Sequence, residues 1–159
     1  MGRAKRKIYL DVENLRGDSR TNTELDIPGM LVFIKDHFGK GDMKCYLKCD
    51  SVAELSAIKQ VLGESTEIAY LLKAGFKGSP DLDVQLAVDV VEDFYEHDVK
   101  EVVLGSGDAD FVPLLNFLEK HDVDVQILSN KKSFALNLSK RASSINFLTK
   151  ECFKKEKKC

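Results

Sequence analysis

No apolar run in the chain approaches the length of a membrane-spanning helix, so no helical membrane span is expected. Met1 to Lys7 lack the apolar segment of a signal peptide, which makes a cytoplasmic protein the expectation. Cysteine is scarce: Cys45, Cys49, Cys152 and Cys159. Cys45 and Cys49 stand four residues apart in a strand-like segment, hence on one face. A zinc site would need two further ligands, and the only histidines, His37, His97 and His121, are scattered. Reduced structural thiols are therefore expected. Low-complexity linkers and internal repeats are absent, so the 159 residues read as one domain, long enough to bury a core.

Net charge is also small, at −2, but it is unevenly spread. Arg3, Lys5, Arg6 and Lys7 crowd one end; Lys154, Lys155, Lys157 and Lys158 crowd the other. Residues 8–153 then hold 16 basic and 25 acidic residues, or −9. The expected organisation is a basic tail over 1–7, a domain over 8–149 and a basic tail over 150–159. Such tails either contact phosphates or merely keep the termini solvated.

What the chain has in quantity is strands alternating with helices. Short apolar runs at 8–12, 43–49, 67–72, 101–104 and 123–128 predict five strands, and 145–148 predicts a sixth or an edge segment. Residues 13–26 read as a loop. Helices are expected from Pro28 to Phe38, from Ser51 to Leu62, over 81–97, over 111–121 and, as a short one, over 133–141. Residues 73–80 read as a loop. This alternation implies right-handed crossovers and a three-layer α/β/α domain with a mainly parallel, five- or six-stranded, Rossmann-like sheet.

Two acidic motifs stand at strand ends: Ile8-Tyr9-Leu10-Asp11-Val12-Glu13-Asn14 and Val102-Val103-Leu104-Gly105-Ser106-Gly107-Asp108-Ala109-Asp110-Phe111. With strand order 3-2-1-4-5, the first and fourth strands are neighbours at the switch point, where ligands bind. Asp11 then faces Asp108 and Asp110. Gathered carboxylates repel unless cations sit between them, and oxygen-only ligands favour Mg²⁺ or Mn²⁺. Gly105 and Gly107 allow a tight turn. Ser106 suits a carboxylate or a phosphate oxygen. Asn14 suits Asp11, a metal or a phosphate.

A plainer reading makes Asp108 or Asp110 the cap of the helix that Pro113 helps to start. One cap does not account for two aspartates opposite a third. On a wheel of about 100° per residue from Leu82, the apolar arc runs through Leu86, Val90, Phe94, Ala87, Val91, Val84 and Val88. Asp83 falls inside it, costly there unless capping, paired or metal-bound. Asp89 falls outside it, as a solvated residue.

Asp11-x-x-Asn14, Asp83-Val-x-Leu-Ala-x-Asp89 and Ser106-Gly-Asp-x-Asp-Phe-x-Pro-Leu114 together resemble the NYN domain in its LabA-like branch, within the PIN-like nuclease superfamily. The resemblance runs from about Lys7 to Leu148. It implies a PIN-like fold and a Mg²⁺- or Mn²⁺-dependent acidic centre cleaving RNA. Asp11, Asp108 and Asp110 match its metal acids, Asn14 its polar partner, and Asp83 and Asp89 its helix acids. There are two departures. Lys77-Gly78 is followed by Ser79-Pro80-Asp81-Leu82 before Asp83, and Ser143-Ser144 follows Ala142 where an acid is common.

The expected activity is a metal-dependent ribonuclease acting on single-stranded RNA, with Asp11, Asp83, Asp108 and Asp110 at its centre. Lys73, Lys77, Lys131, Lys132, Lys140 and Arg141 are candidates to track the backbone. The alternative is an RNA-binding or adaptor module of the same fold with a weak or inactive centre. PIN-like domains often dimerise, but no surface stripe marks an interface. A dehalogenase-type phosphatase would want Asp where Glu13 stands, and a receiver domain's paired acids and late lysine are not met.

Overall fold

The computed structural model describes residues 5–17, 23–72 and 81–155. The expectations placed on Lys73, Lys77, the 73–80 loop, Arg3, Lys157, Lys158 and Cys159 lie outside these. Among the described residues no helix is long and apolar enough to cross a membrane.

Six parallel strands form the central sheet: β1 (Lys5–Asp11), β3 (Asp42–Cys49), β4 (Glu67–Leu72), β5 (Val99–Gly105), β6 (Asp124–Ser129) and β7 (Ser144–Phe147), in the order β4-β3-β1-β5-β6-β7. The expected order holds, and the edge segment is a true sixth strand. A small antiparallel pair, β2 (Thr23–Leu25) and β8 (Phe153–Lys155), stands apart from it.

Side chains alternate across each strand. Ile8, Leu10, Cys45, Leu47 and Cys49 face a core closed by α2 (Ile27–Phe38) and α3 (Val52–Leu62). Tyr9, Tyr46, Val102 and Leu104 face a second core under α4 (Leu82–His97) and α5 (Val112–Lys120). These are the three expected layers. Cys45, Cys49 and Cys152 are buried free thiols, and burial pushes the Cys45 thiol up to about 12.

Four expectations need correction. Residues 13–26 are not all loop. Asp11 caps a short helix, α1 (Val12–Arg16), whose Val12 and Leu15 are buried. β2 exists only because β8 pairs with it from the far end of the chain. The basic ends are not tails throughout. Lys5, Arg6 and Lys7 open β1, with Arg6 on Glu101 at 3.1 Å and Lys7 on Asp93 at 3.0 Å, and Lys154 in β8 pairs with Asp26 at 3.3 Å. The helix expected over 133–141 is a pair of 3₁₀ segments, Lys131–Ser133 and Leu136–Arg141.

The fourth correction is the face of α4. Its buried residues are Leu86, Val90 and Asp93, whereas Val84, Val88 and Tyr95 are exposed. On a wheel of about 100° per residue, the fully buried residues sit at one edge of the apolar arc, while Ala87, Val91 and Phe94 pack half-buried on the same core. The cause is polar. Lys7-Ile8-Tyr9 on β1 and Lys44-Cys45-Tyr46 on β3 offer two matching cation–hydroxyl pairs. Tyr9 donates to Asp93 at 2.7 Å and Tyr46 to Asp89 at 2.6 Å. Lys44 also reaches Asp89, at 2.7 Å. These bonds hold the acidic edge of α4 against the sheet.

Candidate metal centre

Asp11 is the last residue of β1 and is 5 % exposed. Its Oδ1 accepts the Asn14 N–H at 3.3 Å, as the cap of α1, and its Oδ2 accepts the Ser106 hydroxyl at 2.9 Å. Ser106 is fully buried just beyond β5, and its Oγ also accepts the Asp108 N–H at 3.2 Å. One hydroxyl therefore ties together the two strand ends that the topology makes neighbours.

The Asn14 side chain is committed to the same turn, its Oδ1 accepting the Gly107 N–H at 2.8 Å. Gly107 must be glycine. A Cβ there would stand 2.8 Å from the Phe134 Cα and 2.8 Å from the Ser133 carbonyl, both backbone.

Asp83 enters from the first turn of α4. The capping duty falls to Asp81, whose Oδ1 accepts the Asp83 N–H at 2.9 Å. Asp108 caps the turn Ala109–Phe111 by accepting the Asp110 N–H at 2.9 Å. The plainer reading is thus true of Asp108, yet its carboxylate also meets the other two. One oxygen from each of Asp11, Asp83 and Asp108 lies within 4.8 Å of the others. Oxygens about 2.0–2.6 Å from one Mg²⁺ or Ca²⁺ ion stand no more than about 5 Å apart. The donor set, all oxygen, suits a hard divalent cation.

The electrostatics agree. Burial first, then the charges of Asp11, Asp81, Asp108 and Asp110, push the Asp83 carboxyl up to about 7. Burial also raises Asp11, against the lowering effect of the Ser106 and Asn14 bonds, and Asp108 and Glu13 raise it further. Bringing carboxylates this close disfavours their charged forms, a cost that a cation among them would offset.

The cluster opens into a cleft of about 180 Å³, whose walls also include Glu13, Asn14, Lys48, Asp81 and Leu82. A larger cavity, of about 470 Å³, lies at the opposite, amino end of the strands. Its Lys7, Lys44, Asp89 and Asp93 are already paired with one another, so the smaller cleft is the chemically open one.

Other expected site residues fall elsewhere. Asp110 is exposed and outside the three-oxygen cluster, though its charge acts on Asp83. Asp89 is neither solvated nor in the cluster. Burial would raise its carboxyl, but bonds from Lys44, Tyr46 and Gln85 outweigh it and hold it below the usual range. Lys131 and Lys132 are exposed on the turn that follows β6, at the carboxyl end of the sheet. Asn130 fixes that turn against α1, donating to the Leu15 carbonyl at 3.2 Å and accepting the Lys132 N–H at 3.1 Å. Arg141 bonds Asn116 and the Asn137 carbonyl.

Glu13, Lys48 and Asp81 were not expected in the cleft. Lys48 had a signal: it is the last residue but one of the strand next to β1, two residues beyond Tyr46, the register partner of Asp11.

The model of the NYN domain family matches residues 5–149. The chain belongs to the NYN domain family. NYN domains fall in the PIN-like nuclease superfamily, whose nucleases typically depend on divalent metal, and NYN nucleases act on RNA. Among solved structures, a protein of unknown function from Vibrio parahaemolyticus shares the fold. It is 20 % identical, with a TM-score of 0.72 over 95 % of this chain and 96 % of that one. No curated protein matches the sequence.

The serine pair of this NYN domain is not a gap in the cluster. Ser143 bonds the Val125 carbonyl through both its N–H and its hydroxyl, each at 2.8 Å. Val125 pairs with Val102 and Val102 with Lys7. Ser143 thus sits at the level of Lys7, four residues and about 13 Å of strand from Asp11. The departure at Ser143-Ser144 removes no ligand from the three acids.

Proposed function

We propose that this NYN domain is a metal-dependent ribonuclease of the LabA-like branch, hydrolysing phosphodiester bonds in single-stranded RNA of the cytoplasm. The observation that carries the reading is the convergence of Asp11, Asp83 and Asp108 oxygens within 4.8 Å, from two strand ends and a helix start. Mg²⁺ or Mn²⁺ held there would supply a more acidic water and neutralise charge on the scissile phosphate.

The chain's own contribution is placement. Ser106 and the Asn14 N–H hold Asp11 in one orientation. Asp81, by capping α4, leaves the Asp83 carboxylate to face the cleft. Asp110 stands at the rim, and Asp89 acts from behind, by anchoring α4. Lys131 and Lys132, exposed on the turn after β6 at the carboxyl end of the sheet, are assigned to the RNA backbone. Lys73 and Lys77 precede Asp81 closely in sequence and are assigned the same task, and Arg141 a more distant one.

The test is a panel of single-stranded RNA, duplex RNA and DNA with Mg²⁺, Mn²⁺ or EDTA. Cleavage of single-stranded RNA that needs the metal and is lost in Asp11→Asn supports the reading. RNA binding without turnover in either metal would leave an adaptor module instead.

A further inference from the structure

Lys48 is the one cation among the described residues that line the cleft, where Asp11, Glu13, Asp81, Asp83 and Asp108 are all acids. Its ammonium has no ion-pair or hydrogen-bond partner among the described residues, although five acidic residues line the same cleft. The other cation near this wall, Arg16, is engaged by Glu13 at 3.6 Å. The Lys48 backbone is fixed: its N–H donates to Glu13 Oε1 at 2.9 Å, which joins the end of β3 to α1. The stem of Lys48 therefore starts from a rigid point, and its charged end is uncommitted.

A phosphodiester entering this cleft brings a negative charge to an acid-lined wall. One divalent cation offsets only part of that wall, so a second positive group is needed where the strand enters. We propose that Lys48 is a substrate-binding residue of this centre, its ammonium contacting a non-bridging oxygen of the RNA phosphate held over Asp11, Asp83 and Asp108. This rests on the ribonuclease reading above. The rival role is a stand-in for the metal, in which Lys48 neutralises the empty acids and leaves when the ion arrives.

Three measurements on the intact protein separate these roles. Mn²⁺ affinity is read by electron paramagnetic resonance. Single-stranded RNA binding is read by stopped-flow anisotropy before turnover, across a salt series. Cleavage gives kcat and KM. For Lys48→Ala the expected result is Mn²⁺ affinity within twofold of the parent, with RNA affinity and kcat/KM down about tenfold. The slope of log affinity against log salt should be shallower by about 0.7, the value of one single-strand phosphate contact. Lys48→Arg should restore most of the binding. Unchanged RNA affinity and salt slope in Lys48→Ala would overturn the proposal. So would a tenfold gain in Mn²⁺ affinity with cleavage unchanged, which marks the stand-in. A parent protein that binds Mn²⁺ and RNA normally while Lys48→Ala matches it defeats this inference alone. A parent that binds no Mn²⁺ defeats the ribonuclease reading and this inference with it.

Discussion

Ser106 shows how much of the centre depends on a residue that is not itself a ligand. Its hydroxyl bridges Asp11 and the Asp108 backbone while fully buried. Ser106→Ala should keep the fold and lower Mn²⁺ affinity about 10- to 100-fold, the usual cost of losing a group that orients a metal ligand. Titration followed by electron paramagnetic resonance checks it, and an unchanged affinity would remove Ser106 from the account. Asp83 carries the pH dependence. Its folded-state pKa of about 7 lies above the unfolded value near 3.9, so the metal-free folded protein holds the proton longer. The stability this group contributes is complete below about pH 4 and is lost as pH rises through about 7. Metal-free protein should therefore melt at a lower temperature at pH 8 than at pH 5.5, and Asp83→Asn should flatten that trend. Mn²⁺ affinity should rise over the same interval, because the ion competes with the proton.

Helix α4 is placed by its acids as well as by its apolar residues. Asp93 holds Tyr9 and Lys7, and Asp89 holds Tyr46 and Lys44, one helical turn apart. Asp93→Ala would strand the buried Tyr9 hydroxyl and leave the Lys7 ammonium with Glu67, at 3.5 Å, as its remaining partner. Breaking such a pair costs about 3–5 kcal/mol. Asp93→Asn keeps an acceptor for Tyr9 and should cost less than half as much in urea unfolding. Equal losses would mean that packing, not the bond, holds the helix. This element also marks where the sequence misleads. The wheel assigns the burial of α4 to its apolar arc, because it sees only the helix. The partners that draw the acidic edge of the helix in and leave Val84 and Val88 exposed, Lys7-x-Tyr9 and Lys44-x-Tyr46, lie on two strands far away in sequence. By contrast, α2 and α3 were legible because Pro28, the Ser51 cap and the glycines after each helix are local signals.

At the scale of the molecule, the sheet order was legible because βα alternation leaves few right-handed solutions. That order alone put Asp11 beside the Ser106–Asp110 turn. The β2–β8 pair was not legible: three residues at each place carry no periodicity, and only long-range pairing defines them. Arg6, Lys7 and Lys154 likewise looked like tail charges until the fold supplied Glu101 on β5, Asp93 on α4 and Asp26 before α2 as partners. Since the three acids are brought together only when both strand ends and α4 are in place, a cation held by them would bind the folded state alone. Mn²⁺ at about 100 times its Kd should then add about 2.7 kcal/mol to unfolding stability, and EDTA should remove it. The most direct measurement is anomalous scattering from crystals soaked in Mn²⁺. A peak at about 2.0–2.3 Å from oxygens of Asp11, Asp83 and Asp108 together, absent in Asp11→Asn, is expected. A Mn²⁺ peak bound elsewhere, or none at saturating Mn²⁺, would contradict the assignment of these three acids as a metal centre.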